Sequence, residues 1–503
     1  MWPSTTDTIE IPTVGAGGNY SVEDSSSAVV SENNIHDSSS ISHPEAFRLS
    51  SDGGRYSDII TLLEKTDERP EQMNGSIFTA EQYERTFPNG NKFNETVGVL
   101  AFGPNSGRGH QSEDDPYEDY PSILEQLKED GRIGSASFSL HVGSAALGQP
   151  GSLVLGGYEQ NRLVGDAGVF TLDGKPFMPL LDVILGVETG DSPFNSDGHI
   201  SVYAGIGDGL VAEQVMNLNR QMGNSLPGSV LVGPNPALPY IYLPPGTCEE
   251  AANHLPVTFN DDLGFYLWDT ANPQYRRIVD SPAYLGFVLS DRTATNITIK
   301  VPFRLLDLTL TAPIVNQPTA YFPCVTDESI YGWWELGRAF LQGAFFAVDY
   351  DANLTYLAQA PGPSMGGSGI KVMGEGEKAP EGFESDLEAS WAAHWTVLHG
   401  EGGSNLSAGA IAGIVVGVVV LVGGVLTGLV FWRKRKAKGG GDEKTPTQSR
   451  RLWVSWWKGA EIQGMPVQEM EVPDAVHEAP GRVLAHEISG KALAAELPAS
   501  PIK

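Results

Sequence analysis

Short runs in which apolar and polar residues alternate recur along the first 360 residues of the chain. Turn-forming residues separate the runs, and few stretches show the spacing of an amphipathic helix. Alternation with a period of two, interrupted by glycine, proline and asparagine, predicts many short β-strands. The clearest runs are SFSLHVG, GSLVLGGY, HISVYAGIG, YIYLP, ITIKVPF and AFFAVDY. The pattern therefore predicts a mostly β architecture.

One helix is well marked, over residues 122–130. Ser122 precedes the apolar positions and Glu125 stands three residues later, which is the spacing of a capping box. Gly131 follows, and glycine is the residue most often found just after a helix. We therefore predict a short capped helix between the strands.

The longest apolar run is Ala408 to Trp432, which has no ionisable side chain. A helix over these residues is about 37 Å long, enough to cross a bilayer with some tilt. Five basic residues follow within the next six positions, which predicts that the tail from residue 433 onward is cytoplasmic. The part before the span then faces outward.

Glycines recur every four residues at the start of this span, at Gly409, Gly413 and Gly417. Such a stripe lets two helix backbones approach closely in lipid, which predicts a homodimer through the span. A lipid-facing helix that is merely rich in glycine is the alternative. The sequence does not distinguish the two.

Composition and charge exclude several classes of protein. The 503 residues include 62 acidic and 32 basic side chains, for a formal net charge of −30. Since a nucleic-acid binder needs a basic surface, we expect no nucleic-acid partner. Asp349, Asp351 and Asn353 have the first ligand spacings of a calcium loop, but position six is Leu354 and position twelve Ala360. We predict neither a metal site nor a cofactor.

Six Asn-x-Ser/Thr triplets precede the span and predict N-glycosylation on a secreted face, at Asn19, Asn74, Asn94, Asn296, Asn353 and Asn405. In that setting Cys248 and Cys324 are expected to form one disulfide, with two buried free thiols as the alternative. The N-terminus has neither a basic start nor an apolar run, so no signal peptide is visible. Either the span itself is the targeting signal, or the chain as given lacks its beginning.

Two segments have compositions typical of disorder. From residue 361 the sequence turns to glycine, serine, proline and acidic residues, as in PGPSMGGSGIKVMGEGEKAPEG. That composition predicts a flexible stalk before the span. The tail after the span is polar and interrupted by proline, which predicts a disordered segment.

Four segments, in the same order, resemble the pepsin-like aspartic peptidase family. They are NETVGVLAFG (94–103), PSILEQLKEDGRIGSASFSLHVG (121–143), GSLVLGGYEQNRLVG (151–165) and LGRAFLQGAFFAVDYDANLTYLAQA (336–360). In the third segment Glu159 stands where the family has aspartate. The chain looks most like fungal-type, membrane-anchored members with degenerate active sites.

The resemblance implies a mostly β, bilobed pepsin-like fold followed by a disordered stalk, one transmembrane helix and a disordered tail. The implied domains are an N-terminal β lobe truncated at its start (1–172), a C-terminal β lobe (173–362), the stalk (363–407), the span (408–432) and the tail (433–503). The N-terminal lobe is expected to be incomplete, because its first strand would precede residue 1.

In this family two aspartates, one from each lobe, share a proton, activate water and polarise the scissile carbonyl. Counting back from YIYLP places Asn235 at one aspartate position, and the same count from TIEIP places Pro3 at the other. Neither residue is a carboxylate, so we expect no intact catalytic pair. A weak alternative is Asp7 in a shifted register, with a partner such as Asp261.

The sequence therefore predicts a single-pass type I surface glycoprotein in the plasma membrane or a secretory-pathway membrane. Its ectodomain is expected to be a pseudoenzyme that acts as a scaffold or binds a peptide or glycan in the cleft between the lobes. An active membrane-anchored acid endopeptidase is the first alternative. A receptor-like sensor that signals through the tail is the second.

Overall fold

The structure is a computed structural model of the chain. It describes residues 1–12, 14–15, 18–30, 49–62, 71–104, 120–194, 198–204, 229–291, 293, 295–326, 333–367, 369–373, 378–382, 386–399 and 486–487. The chain divides into two compact units, Met1–His399 with Arg482–Lys503, and Gly400–Gly481. The second unit lies outside the described residues.

The first unit is built mostly of short strands. In chain order they are β1 (Trp2–Ser4), β2 (Ile9–Pro12), β3 (Val14–Gly15), β4 (Gly18–Asn19), β5 (Val29–Val30), β6 (Leu49–Leu62), β7 (Glu71–Thr86), β8 (Lys92–Asn94), β9 (Val99–Ala101), β10 (Ser137–His141), β11 (Ser152–Leu155), β12 (Gly157–Glu159), β13 (Val164–Thr171), β14 (Met178–Val187), β15 (Ile200–Ser201), β16 (Val230–Pro234), β17 (Ile241–Leu243), β18 (Val257–Asn260), β19 (Phe265–Trp268), β20 (Ala283–Ser290), β21 (Asn296–Pro302), β22 (Leu308–Leu310), β23 (Thr319–Phe322), β24 (Cys324–Thr326), β25 (Trp333–Leu336), β26 (Ala344–Asp349), β27 (Leu354–Gln359), β28 (Ile370–Val372) and β29 (His486–Glu487).

The helices are short and lie between the strands. They are α1 (Ile123–Glu129), α2 (Thr247–Ala252), α3 (Pro273–Val279), α4 (Phe303–Leu306), α5 (Arg338–Leu341) and α6 (Leu387–Trp391), with one 3₁₀ turn at Gln160–Arg162. The predicted helix is confirmed as α1, because Ser122 caps its N-terminus in a capping box with Glu125. The predicted mostly β architecture is confirmed as well, and each of the six alternating runs contains a strand.

Three sheets hold most of the described strands. The first sheet has the order β1-β9-β2-β7-β6-β5, with β8 beside β7. The second has the order β13-β27-β26-β10-β11-β29, and the third β21-β20-β14-β16-β25-β17-β24, with β15 beside β14. A smaller sheet, β18-β19-β23-β22, and the pairs β12-β28 and β3-β4 complete the described pairing.

The first and third sheets contain the same local arrangement of four strands. In the first sheet β9 is parallel to β1 and antiparallel to β2, and β2 is parallel to β7. In the third sheet β25 is parallel to β16 and antiparallel to β17, and β17 is parallel to β24. In the first sheet, the loop from β1 to β2 passes the end of β9, which lies between these two strands. In the third sheet, the loop from β16 to β17 passes the end of β25 in the same way. We call these loops the N-loop (residues 4–8) and the C-loop (residues 235–240).

The second sheet joins distant parts of the chain. Strand β10 pairs on one side with β11 and on the other with β26, and β13 pairs with β27. Aromatic packing ties this sheet to the end of β9 in the first, because the ring centroids of Phe138 and Phe102 lie 5.2 Å apart. Within the second sheet, the ring centroids of Phe138 and Phe346 lie 5.9 Å apart. The predicted boundary between residues 172 and 173 falls in the turn between β13 and β14. The division into two lobes stays a prediction.

In the segment predicted to be a flexible stalk, the described residues up to His399 include a strand, β28, and a helix, α6, which corrects that prediction for these residues. Strand β28 pairs with β12, and Trp391 of α6 is 1% exposed. The Gly362 N–H donates to Ser390 Oγ at 2.8 Å, and the Gly362 backbone lies against the Trp391 ring. A few apolar side chains anchor the segment despite its glycine-rich composition, because burying one large aromatic side chain outweighs much of the cost of ordering a short loop. We call residues 361–399 the strap.

Within the described residues, no helix is long and apolar enough to cross a membrane. The predicted span over residues 408–432, with Gly409, Gly413 and Gly417, lies outside them, as does most of the tail. The two described tail residues form β29 beside β11. The rest of the tail lies outside the described residues, so its predicted disorder and cytoplasmic location stay predictions.

Candidate functional site

The N-loop turns tightly from β1 into β2. The Thr6 N–H donates to Ser4 Oγ at 3.3 Å, and Ser4 is 2% exposed. Backbone contacts hold the loop against β9, because the Phe102 N–H donates to the Ser4 carbonyl and the Gly103 N–H to the Thr6 carbonyl. The site at residue 103 requires glycine, since an added Cβ would lie 2.1 Å from the Thr5 carbonyl oxygen.

The C-loop makes the same kind of turn from β16 into β17. The Ala237 N–H donates to Asn235 Oδ1 at 3.0 Å, so a side-chain oxygen again accepts the N–H two residues later. The second amide atom, Asn235 Nδ2, donates to Glu335 Oε1 at 2.8 Å. Gly337 corresponds in role to Gly103, because an added Cβ there would lie 2.3 Å from the Tyr240 carbonyl oxygen.

The shared hydrogen-bond pattern matches Ser4 with Asn235. Pro3 lies one residue earlier, inside β1, where it is buried opposite Leu100. The N-loop is one residue shorter than the C-loop, since eight positions separate Ser4 from Pro12 and nine separate Asn235 from Pro244. Counting back an equal distance from the two prolines therefore reaches Pro3 instead of Ser4. Neither of the two matched side chains is a carboxylate.

The acids of the alternative register lie at other places. The Thr8 hydroxyl donates a hydrogen bond to Asp7 Oδ1 at 3.1 Å. Asp7 also lines a cavity of about 20 Å³, large enough for about one water molecule. Asp261 is an exposed residue of the turn between β18 and β19. No described contact joins Asp7 to Asp261.

A cation lies beside the C-loop. Arg338 Nη1 donates to the carbonyls of Pro236 and Ala237 at 2.9 and 2.8 Å, and Arg338 Cζ lies 4.1 Å from the centroid of the Trp2 ring. This stacking joins the start of the first sheet to the third sheet. Burial lowers the pKa of Arg338 to about 10, so the guanidinium stays charged at neutral pH.

An aromatic cluster surrounds the base of the C-loop. It includes Tyr240, Tyr242, Phe265 and Tyr321, with Phe87 of the first half of the chain packed against them. Burial raises the pKa of Tyr240 to about 12, so the ring carries a neutral hydroxyl at any physiological pH. The cluster is a packed junction between the two halves of the chain.

Acidic side chains near the N-loop are held by neighbours. The Tyr83 hydroxyl donates to Glu10 Oε2 at 3.0 Å, and Arg85 Nε lies 2.8 Å from Glu95 Oε1. Burial raises the pKa of Glu10, although the hydrogen bond from Tyr83 and the charge of Arg55 oppose the shift. These carboxylates belong to structural contacts, not to a pair facing the two loops.

The predicted disulfide between Cys248 and Cys324 is confirmed, with an S–S distance of 2.01 Å and a Cα–Cα distance of 5.6 Å. It joins α2 to β24, whose Cys324 pairs with Ile241 just after the C-loop. Five of the predicted glycosylation sites are exposed, Asn19, Asn74, Asn94, Asn296 and Asn353. Asn405 lies outside the described residues.

Sequence reasoning missed three side chains of this site, Ser4, Glu335 and Arg338. Arg338 was visible within the LGRAFL segment, directly after the glycine that closes the C-loop. Within the described residues, no group of three histidine, cysteine or acidic side chains is placed to hold a metal ion. No protein-family model matches the chain, and no curated protein sequence matches it.

Proposed function

We propose that the chain is a membrane-anchored surface glycoprotein with a bilobed aspartic-peptidase fold and no peptidase activity. Two similar loop arrangements, one in the first sheet and one in the third, support that fold, as does a second sheet built from both halves of the chain. The protein then acts as a binding module or scaffold, with a peptide or glycan as the class of ligand expected between the lobes.

The proposal depends on the observation that Ser4 and Asn235 occupy matching positions in the N-loop and the C-loop. An aspartic dyad needs one ionised and one protonated carboxyl group, which together orient and deprotonate water. The Asn235 amide has neither a negative charge nor a transferable proton, and a serine hydroxyl is far too weak an acid to replace a carboxyl group. Removing one general acid–base group typically slows a reaction by about 10²- to 10⁴-fold. Removing both leaves no measurable turnover.

The test is a cleavage assay of the full chain in detergent against a broad peptide library between pH 3 and pH 7. We expect no turnover that the inhibitor pepstatin blocks. The matched control is Asp7→Asn, measured beside Asp261→Asn, because these are the acids of the alternative register. Pepstatin-sensitive cleavage that either variant abolishes would reinstate the acid endopeptidase.

Membrane topology is tested separately. In the proposed topology residues 408–432 span the membrane and the tail lies in the cytoplasm, whereas pairing of β29 with β11 is the competing arrangement. Protease added to intact cells should remove the ectodomain and leave an epitope at residue 503 protected. Digestion of that epitope from outside contradicts the cytoplasmic tail and, with it, the receptor-like alternative.

A further inference from the structure

A cavity of about 560 Å³ opens on one face of the third sheet, over β14, β15, β20 and β21. The register places Asp182, Val288 and Thr298 side by side in one row across three strands. Lys300 lies in the next row, and Ser201 of β15 pairs opposite Ile184. Among the described residues, eight of the ten that line the cavity belong to strands of this sheet, and Glu188 and His199 lie next to strand ends.

Two glycines shape the floor of the cavity. An added Cβ at Gly186 would lie 2.6 Å from the Tyr284 hydroxyl oxygen, and one at Gly286 would lie 3.0 Å from Tyr284 Cε2. The Tyr284 ring occupies the space that side chains at these two positions would otherwise fill. Larger residues at either position would displace the ring and close the cavity.

Polar groups surround this floor. Lys300 Nζ forms an ion pair with Glu188 and lies 5.4 Å from the centroid of the Tyr284 ring. The Tyr284 hydroxyl is 3.0 Å from His199 Nε2, and the Ser201 hydroxyl donates to Asp182 Oδ1 at 2.7 Å. The rim thus presents hydrogen-bond donors and acceptors around apolar side chains.

The balance of charge in the lining favours a neutral ligand. The lining has two carboxylates, Asp182 and Glu188, and one ammonium group, Lys300, and this excess of carboxylates disfavours an anion. A lining of hydrogen-bonding groups interleaved with apolar ones suits a saccharide, whose hydroxyls alternate with C–H faces. The chemistry points to an uncharged sugar.

A saccharide source lies at the edge of the same face. Asn296 is the exposed first residue of β21 and begins the triplet Asn-Ile-Thr, whose threonine is the lining residue Thr298. Residues two apart on a strand point to the same face, and here they are about 7 Å apart. A sugar attached to Asn296 therefore starts beside the cavity and on its open side.

We propose that the N-linked saccharide of Asn296 folds back and occupies this cavity. The inference rests on the proposed function in one respect, since glycosylation needs an ectodomain in the secretory pathway. The saccharide then covers the polar rim and shields the Lys300–Glu188 ion pair from water. It makes this face of the third sheet a fixed protein–sugar surface instead of an open one.

The test compares the glycans of one full chain made in a glycosylating host. An endoglycosidase under native conditions should release the Asn296 glycan about tenfold more slowly than the glycan of Asn353, which corresponds to about 1.4 kcal/mol of docking. Asn353 is an exposed turn residue between β26 and β27 and serves as the internal control. Equal release rates contradict this inference but not the proposed function. The same holds if Asn296 carries no glycan while Asn19 and Asn353 are glycosylated. A chain with no glycan at any site overturns the secretory placement as well.

Two variants identify the cavity as the cause. Val288→Trp fills the cavity and should raise the release rate at Asn296 to that at Asn353, whereas Ile59→Trp, on an exposed strand position of the first sheet, should leave it unchanged. Both variants are checked by thermal unfolding, so that a misfolded chain is recognised. Protection that survives Val288→Trp in a folded protein contradicts the proposal.

The source of the sugar is tested with Asn296→Gln. Removing the attached glycan should let the variant bind the released oligosaccharide, while the glycosylated chain does not bind it. Binding of equal strength to both forms shows an empty cavity that takes a free saccharide, and it contradicts occupation by the chain's own glycan.

Discussion

The N-loop and the C-loop form the same kind of turn with different side chains. In both, a side-chain oxygen accepts a hydrogen bond from the N–H two residues later, and a glycine just after the facing strand allows the loop to approach. The N-loop uses the serine hydroxyl alone. The C-loop uses an amide that also donates to Glu335, and it has Arg338 and a disulfide beside it. The turn needs only an oxygen acceptor, so the loop geometry persists without carboxylates.

The largest effects are expected at the two glycines. Gly103→Ala and Gly337→Ala each place a Cβ within 2.3 Å of a backbone carbonyl oxygen, so the loop must move. Each should lower the free energy of unfolding by about 4 kcal/mol, measured by denaturant titration. Gly366→Ala is the control, since nothing lies within 4 Å of the added atom. If only one of the two variants loses stability, the two loops are not equivalent.

The disulfide lies beside the C-loop, so its loss should destabilise the third sheet more than the first, by almost as much as the glycine substitutions. Closing a loop between residues 76 positions apart is worth about 4 kcal/mol in the chain-entropy view. Replacing both cysteines by serine should therefore lower stability by nearly that amount. Hydrogen exchange should show β17 and β24 losing protection before β2 and β7. Simultaneous loss in both sheets contradicts independent support of the C-loop.

Acid should weaken the sheet that the halves share. His141 of β10 is 1% exposed, and burial, with the charge of Arg162 acting in the same direction, lowers its pKa to about 4. Glu159 and the Gln342 carbonyl oppose the shift. A histidine with a lowered folded-state pKa supports stability above pH 6.5, and that support is lost as the pH falls from 6.5 towards 4. The loss is about 3 kcal/mol at most.

The matched variant for this acid effect is His141→Gln, which should flatten the dependence of stability on pH between 6.5 and 4. Because β10 is bonded to strands from both halves of the chain, protection in the first and third sheets should fall together. A pH profile identical to that of the original chain shows that His141 does not control it.

The smallest effect is expected from making the C-loop resemble the N-loop. Asn235→Ser keeps an oxygen for the Ala237 N–H and removes only the bond to Glu335, at a cost of about 1–2 kcal/mol. A double-mutant cycle with Glu335→Ala, which removes the acceptor oxygen, measures the coupling energy of that bond. A coupling energy near zero shows that the amide–carboxylate contact adds nothing to the turn.

The strand pattern and the helix over residues 122–130 could be predicted from sequence because alternation and capping are local. The parallel pairing of β1 with β9 could not, since it joins residues nearly a hundred positions apart. Counting back from Pro12 reached Pro3, one residue before Ser4, because the pattern of apolar and polar residues does not reveal that the N-loop is one residue shorter than the C-loop. The strap was missed because its buried apolar side chains, such as Met373, Leu387 and Trp391, are few and scattered in a polar, glycine-rich composition.

The second sheet sets an order of events during synthesis. Strand β10 leaves the ribosome roughly 200 residues before β26, the strand that pairs with its other side. At ordinary rates of translation this interval is about 10 to 40 seconds. Throughout it one edge of β10 carries unpaired backbone groups, which is the condition under which strands join foreign chains. A nascent chain stopped before residue 344 keeps that edge open permanently, so truncated products should need chaperones that the complete chain releases.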